Sequence, residues 1–549
     1  MRGKKGQKEK KNICPGIEVP HLCSGIASFE ELIYKSNTEE KIITKMIRML
    51  GKTNVIALII LVLGVILTSV NIYQLRSMQK EYMTLSHPEL SSEEVTSKPK
   101  YAVYGKNIDS GYLKHVYNVL HRAGYVRTSY NTSTDWSVLW SHDYPFTKIR
   151  PVIMKMNKYQ KVNKLPGSGY VTNKVNLATS GMANIPQAFK IPDDAEKLKT
   201  YATKNPEKLF VQKNKNHRGI KIEKIDNLDL TKDGSFVQEF VDDPLLIDGY
   251  KFDIGIYTMI TSIDPLRIYV FEGDVLLRFC PEKYHPFDAK NRDKYVVHDD
   301  YRPTWEVPIM AKVYSDMGYS FRETLNTHVR SLGKDPDNVW GQMYDVIRNV
   351  YQMKEPLFKK ALSNYPHKRA FFEMVRFDFV LDSKLNAYLM EANMSPNLSS
   401  KHFANNRLLY EQALYSLMRL VGVVRGGINT PTLQPVTKEA LEMQVAEKDL
   451  HVFPDECISE RCSRTTACDD KHCHLCRHCL SSEEIGYLTP AFLEQTNRHM
   501  CRRIFPKAVL REEAKEWKSK FYHTNMTATN IKMDQWFAGK CLLDRNWCD

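Results

Sequence analysis

Residues Val55 to Val70 read VIALIILVLGVILTSV, a run that no water-exposed surface can hold. It carries no charge, and Asn54 and Asn71-Ile72-Tyr73 extend it to the roughly 20 residues that a bilayer-spanning helix needs. In a water-soluble fold, a helix apolar on every side would have to be buried in protein. We read residues 54–73 as a transmembrane helix. The charged tail at 1–53 and the lack of a clear small-residue cleavage site argue against a removable signal peptide. Lys41, Lys45, Arg48 and Lys52 precede the run and only Arg76 and Lys80 follow closely, so the positive-inside bias places the amino terminus in the cytosol. The polar stretch SHPELSSEEVTSK at 86–98 marks residues 74–99 as a linker.

Folded sequence resumes at Tyr101. Residues 100–425 mix β-rich and helical stretches without an internal repeat and read as one α/β (α+β) unit. Nine of the twelve cysteines lie between Cys457 and Cys548, and six of those between Cys457 and Cys479, which sets residues 426–549 apart as a cysteine-rich, basic extension. The net charge of +14 favours an acidic partner, whether nucleic acid, anionic lipid or an acidic protein tail.

The stretch Phe371–Ser400 carries the clearest chemistry. FDFVLD and AYLMEAN alternate as two strands around Ser383-Lys384. If the hairpin closes symmetrically about Lys384 and Leu385, Asp378 faces Glu391, and Asn393 emerges on the same face. Facing carboxylates repel, and a hard cation such as Mg²⁺ would neutralise them. The rival is a solvated sheet edge. FVQKNKNHRGIKI at 210–222 reads as strand, loop and strand, and its Lys213, Arg218 and Gly219 either meet a polyphosphate or belong to a solvated basic loop. Gln238-Glu239-Phe240-Val241 ends a β-like run where backbone groups can meet an adenine edge. KFDIGIYT then puts Lys251, Asp253 and Gly255 on one face, and Arg278 on a later run adds a cation.

In this order and spacing, DPLLIDGYKFDIGIY, DPLRIYVFEGDVLLRFC and FDFVLD with LMEANMSPNLSS resemble the tubulin-tyrosine-ligase-like family, in its polyglutamylase-like branch. The resemblance runs from about residue 101 to 424 and implies an ATP-grasp fold. It also implies an ATP- and Mg²⁺-dependent ligase, with one or two metal ions, that joins glutamate to the acidic tails of tubulin through an acyl phosphate. Nucleic acid is not an implied partner. Carried over residue by residue, Lys213, Arg218 and Gly219 contact phosphate, Gln238 to Val241 form the adenine hinge, and Lys251 and Asp253 belong to the nucleotide site. Arg278 contacts a phosphate or substrate carboxylate, and Asp378, Glu391 and Asn393 hold the metal; Lys213, Arg278 and Glu391 would carry catalysis.

Several positions depart from the family pattern. Gly255 stands where KFDLR has its arginine, and Arg376 replaces a glycine beside Asp378. Lys221 replaces a second loop glycine, His298-Asp299-Asp300-Tyr301 alters an amino-acid-recognition segment, and Tyr410 lies near an expected lysine. These changes keep open a second reading, a nucleotide-binding membrane scaffold or regulator that does not turn over.

The Cys468–Cys479 segment, with His472, His474 and His478, has spacing that fits zinc or disulfides. The compartment decides between them, and two expectations conflict. Flanking charge sends the catalytic body to the lumen; the family reading wants it in the cytosol. Sequons at Asn131, Asn393, Asn397 and Asn525 do not arbitrate, since Asn393 is also a candidate metal ligand. The basic stretch at 489–520, with Arg498, Arg502, Arg503, Lys507 and Arg511, reads as helical and as either a microtubule contact or a solvated face.

Overall fold

A computed structural model describes residues 41, 44–45, 52–85, 98–214, 220–424, 441–516 and 526–549. The chain forms two compact units, residues 1–96 and 97–549.

In the first unit a helix of 34 residues runs from Lys52 to Leu85. Its Ile56–Met78 portion is long and apolar enough to cross a membrane, and none of it is buried in protein. Thr68 and Ser69 donate their hydroxyls to the Gly64 and Val65 carbonyls one turn back, so neither polar side chain needs water. The helix does not stop at Tyr73. QLRSMQKEYMTL contains neither glycine nor proline and keeps the first part of the linker helical.

The second unit is built on three sheets. The first is parallel, in the order β2-β1-β3-β4, from β1 (Lys100–Tyr104), β2 (Val126–Thr128), β3 (Val138–Ser141) and β4 (Lys161–Val162). The helix Lys114–Arg122 supplies the crossover that parallel neighbours require. The second is antiparallel, in the order β5-β8-β6-β7, from β5 (Ala188–Ile191), β6 (Phe210–Asn214), β7 (Lys221–Glu223) and β8 (Ser235–Glu239).

The third sheet is the centre of the molecule. Its strands are β9 (Leu246–Ile247), β10 (Tyr250–Ile263), β11 (Leu266–Phe271), β12 (Leu276–Phe279), β13 (Glu373–Leu381), β14 (Ala387–Asn393) and β15 (Cys501–Phe505). They run β14-β13-β10-β11-β15, with β9 and β12 also pairing with β10. All nine residues of β13 are buried, so the simple inside-outside alternation expected of that strand does not hold. It lies between β10 and β14, and the helices Pro336–Leu362 and Asn406–Leu420 pack on the sheet.

The composition change at 425/426 is not a packing boundary. Residues after 441 complete the central sheet: β15 pairs with β11 as Tyr269↔Arg503 and Phe271↔Cys501. Buried Glu494 accepts two bonds from Arg267, at 2.8 and 2.9 Å, and one each from Thr261 and Tyr269. The stretch read as helical is therefore a helix (Ser482–Thr496), a strand (β15) and a short helix (Arg511–Lys515). Part of its basic character is structural. Arg503 is buried over the Phe537 ring at 3.4 Å, and Arg502 pairs with Asp549 and Glu272, so neither presents a free cation to a microtubule.

Cysteines 457–479 form three disulfides, Cys457–Cys476, Cys462–Cys473 and Cys468–Cys479, and Cys541 pairs with Cys548. Of the two alternatives that the spacing left open, zinc and disulfides, the structure shows disulfides. His478 lies close to Cys468 and Cys479, with ligand atoms within 4.8 Å, but those two sulfurs are bonded to each other and are not thiolates.

Candidate active site

The β13-β14 hairpin does bring Asp378 opposite Glu391, by a route more irregular than symmetric closure. Near the turn the pairs are Leu381↔Ala387, Val380↔Tyr388 and Phe379↔Leu389, a register that would set Met390 against Asp378. A bulge at Met390 shifts the strand by one residue and turns Glu391 to the carboxylate instead. The expected phase of β14 changes at the same point: Leu389 and Ala392, not Leu389 and Glu391, share the buried side. Asn393 Nδ2 donates to Asp378 Oδ2 and to Glu391 Oε1, each at 3.0 Å, so the three expected metal ligands are in mutual contact.

Arginines and a lysine neutralise the carboxylates. Arg376 makes a two-pronged bond to Asp378, at 2.6 and 2.8 Å, and is itself buried. Arg278, the cross-strand neighbour of Asp253, bonds that carboxylate at 2.9 and 2.7 Å and reaches Asp378 at 3.2 Å. Lys174, at the start of the short helix Lys174–Ala178, forms an ion pair with Glu391. Burial alone would raise the Glu391 carboxyl, but Lys174, the Asn393 amide and Arg376 hold it well below the usual range. Asp253 goes the other way: burial lifts it to about 6 against the pull of Arg278.

This donor set fits a hard divalent cation. Glu391 is held ionised, and a half-turn of the Asn393 amide would present Oδ1 in place of Nδ2. Asp378 is less free, because both of its oxygens already accept from Arg376.

Beside this cluster lie two amines, Lys251 buried and Lys213 half-buried. Lys213 on β6 donates to Gln238 Oε1 at 3.0 Å, and Lys251 on β10 sits 4.7 Å from the centre of the Phe240 ring. Burial lowers each to about 8. In the hinge, Glu239 turns its side chain away to Lys208 and Tyr201, and the Glu239 and Phe240 N–H groups bond the Gln187 and Leu209 carbonyls. Val241 lies just past the end of β8, in the expected hinge. Arg218 and Gly219 lie outside the described residues.

The two departures nearest the expected metal ligands turn out to be one feature. Gly255 is the cross-strand partner of Asp378, and a Cβ there would stand 2.9 Å from Arg376 Cδ and 3.3 Å from its Nε. The glycine leaves the space that the Arg376 side chain fills, so a guanidinium is present at this place, carried by β13 instead of β10. Tyr301 and Tyr410 both meet Asn406, whose Nδ2 lies 2.7 and 3.3 Å from their hydroxyls, and these tyrosines, not a lysine, line that side.

Residues 152–429, half of the chain, match the family model described as the tubulin-tyrosine ligase family. The chain belongs to that family. The probable tubulin polyglutamylase ttll-15 of Caenorhabditis elegans is 40% identical over 456 residues, covering 80% of this chain and 84% of its own. More distant relatives include tubulin polyglutamylase TTLL6 of Mus musculus, 28% identical over 48% of this chain and 34% of its own. Human tubulin monoglutamylase TTLL4 is 25% identical over 75% of this chain and 36% of its own. The chain thus spans most of the first relative and about a third of the other two. Within the family domain, Lys174 and its contact with Glu391 had no counterpart in the sequence reading, since 217 residues separate the two.

Proposed function

We propose that the chain is an ATP- and Mg²⁺-dependent ligase that joins glutamate to an acidic protein segment, for which the tubulin tails named by its relatives are the model acceptor. The observation that supports this reading most is the contact of Asp378, Glu391 and Asn393 beside half-buried Lys213 and buried Lys251. In the proposed sequence, a carboxylate takes the terminal phosphoryl group of ATP, giving an acyl phosphate and ADP. An amine then attacks the acyl carbon, phosphate leaves, and the amine's proton passes to solvent. Bound magnesium would supply charge neutralisation on the phosphates. Glu391 and Asn393 hold that ion with Asp378 in support, Lys213 and Lys251 bind phosphate and nucleotide, and Arg278 keeps Asp253 and Asp378 in place. Arg218 and Gly219 are proposed to contact the phosphates.

Residues 98–549 incubated with tubulin, ATP, Mg²⁺ and labelled glutamate should incorporate label. Absence of label with nucleotide bound would favour the scaffold reading, which one observation supports: Arg376 occupies both oxygens of Asp378.

The two amines make nucleotide binding pH-dependent with a definite sign. Near pH 8 the free protein loses protons from Lys213 and Lys251 that the bound phosphates would retain. Affinity is full below that value and falls above it, by up to about tenfold per pH unit for each amine. Titration of a fluorescent ATP analogue between about pH 7 and 9.5 reads this, and a flat profile would contradict it.

A further inference from the structure

The cysteine-rich segment joins the neighbouring apolar core through buried Leu475, and its own interior is made of disulfides. Its buried cluster consists of Cys462, Cys473 and Cys476, with only Cys457 and Ala467 packed against them. A segment with so small an apolar core depends on its cross-links, and such cross-links persist in oxidising compartments and are reduced in the cytosol. Every other described cysteine agrees with this. Cys541 and Cys548 are paired, and the two free thiols, Cys280 and Cys501, are buried, so among the described residues no thiol is left exposed to oxidation.

The amino-terminal unit carries the same message independently. The apolar helix follows a cluster of positive residues, Lys41, Lys45, Arg48 and Lys52, and is followed by few. Whether such a helix stays as an anchor or is removed as a signal, the chain after it is carried across the membrane. The body also carries an exposed sequon, Asn131-Thr132-Ser133, in the loop after β2.

We infer that residues 97–549 fold and act in an oxidising compartment, on the opposite side of the membrane from the basic tail, and that Asn131 is N-glycosylated there. The Asn131 amide nitrogen would bond the reducing-end carbon of an oligosaccharide carried on a lipid diphosphate, with loss of one amide proton and departure of the lipid diphosphate. Resting on the ligase reading, this changes the acceptor met in the cell: an acidic segment of a protein of the secretory pathway, with tubulin serving as a test-tube substitute.

The full chain is expressed in cells, and sealed microsomes are treated with protease and, separately, with a glycan-removing amidase. The body should resist protease until detergent is added, and the amidase should shift its mobility by one glycan less in Asn131→Gln than in the parent. Digestion of the body in sealed vesicles, with cysteines 457–479 open to maleimide without a reductant, would overturn the inference. A protected body unchanged by Asn131→Gln would overturn the glycan assignment. Neither readout depends on ligation. A protected body that never incorporates glutamate fails the ligase reading alone, and an active body that is digested fails this inference alone.

Discussion

Glu391→Gln should reduce glutamate incorporation by on the order of 10²–10³-fold while leaving the fold intact. The substitution keeps the shape of the side chain and removes the charge, and two effects then act together. The cation loses the one carboxylate that Lys174, Asn393 and Arg376 hold firmly ionised, and Lys174 loses its partner and becomes a stray positive charge beside the phosphates. Asp378 cannot take over, because Arg376 already grips both of its oxygens. Single-turnover incorporation of labelled glutamate, compared at limiting and saturating Mg²⁺, reads the effect. Activity within a few-fold of the parent would mean that Glu391 is not a metal ligand.

The largest effect on stability is expected in the cysteine-rich segment. Removing the Cys468–Cys479 bridge by replacing both residues with serine should cost roughly 2–5 kcal/mol, because the bridge closes a loop in a segment whose own interior, apart from Leu475, is made of cysteines. Urea unfolding of residues 98–549 measures this. A change below about 0.5 kcal/mol would show that the segment is held by something other than its bridges. Loss of the segment should also weaken the central sheet, since the helix Ser482–Thr496, which carries Glu494 to Arg267, begins just beyond Cys479.

The approach of Asp378 to Glu391 was legible before the fold because a hairpin obeys local rules: period-two alternation and a short turn are enough to bring the two together. The bulge at Met390 was not legible, since register slips depend on what packs against the strand. Lys174 was invisible for a related reason, as its partner comes from a strand far along the chain. Arg376 stood in plain view as a departure, and its place on the same face two residues before Asp378 follows from strand geometry. Its fit into the space over Gly255 required the pairing of β10 with β13. The edge strand Cys501–Phe505 was read as a helical basic stretch because CRRIF is short and positively charged, and only the unpaired edge of β11 makes it a strand.

The apolar helix and the domain carry different kinds of information. Composition was enough to mark Ile56–Met78 as able to span a bilayer, since hydropathy alone decides that. The pairing of the cysteines was beyond reach from sequence, because six cysteines allow about fifteen connectivities and only the packing selects one.

The account turns on a cation held by the β13-β14 hairpin against a nucleotide. Crystals of residues 98–549 grown with Mn²⁺ and a non-hydrolysable ATP analogue, examined by anomalous scattering, test this directly. The account predicts a manganese peak roughly 2 Å from oxygens of Glu391 and Asn393, with the terminal phosphates beside Lys213. An analogue bound elsewhere, or bound here with the Lys174–Glu391 pair unchanged and no metal peak on the hairpin, would contradict it.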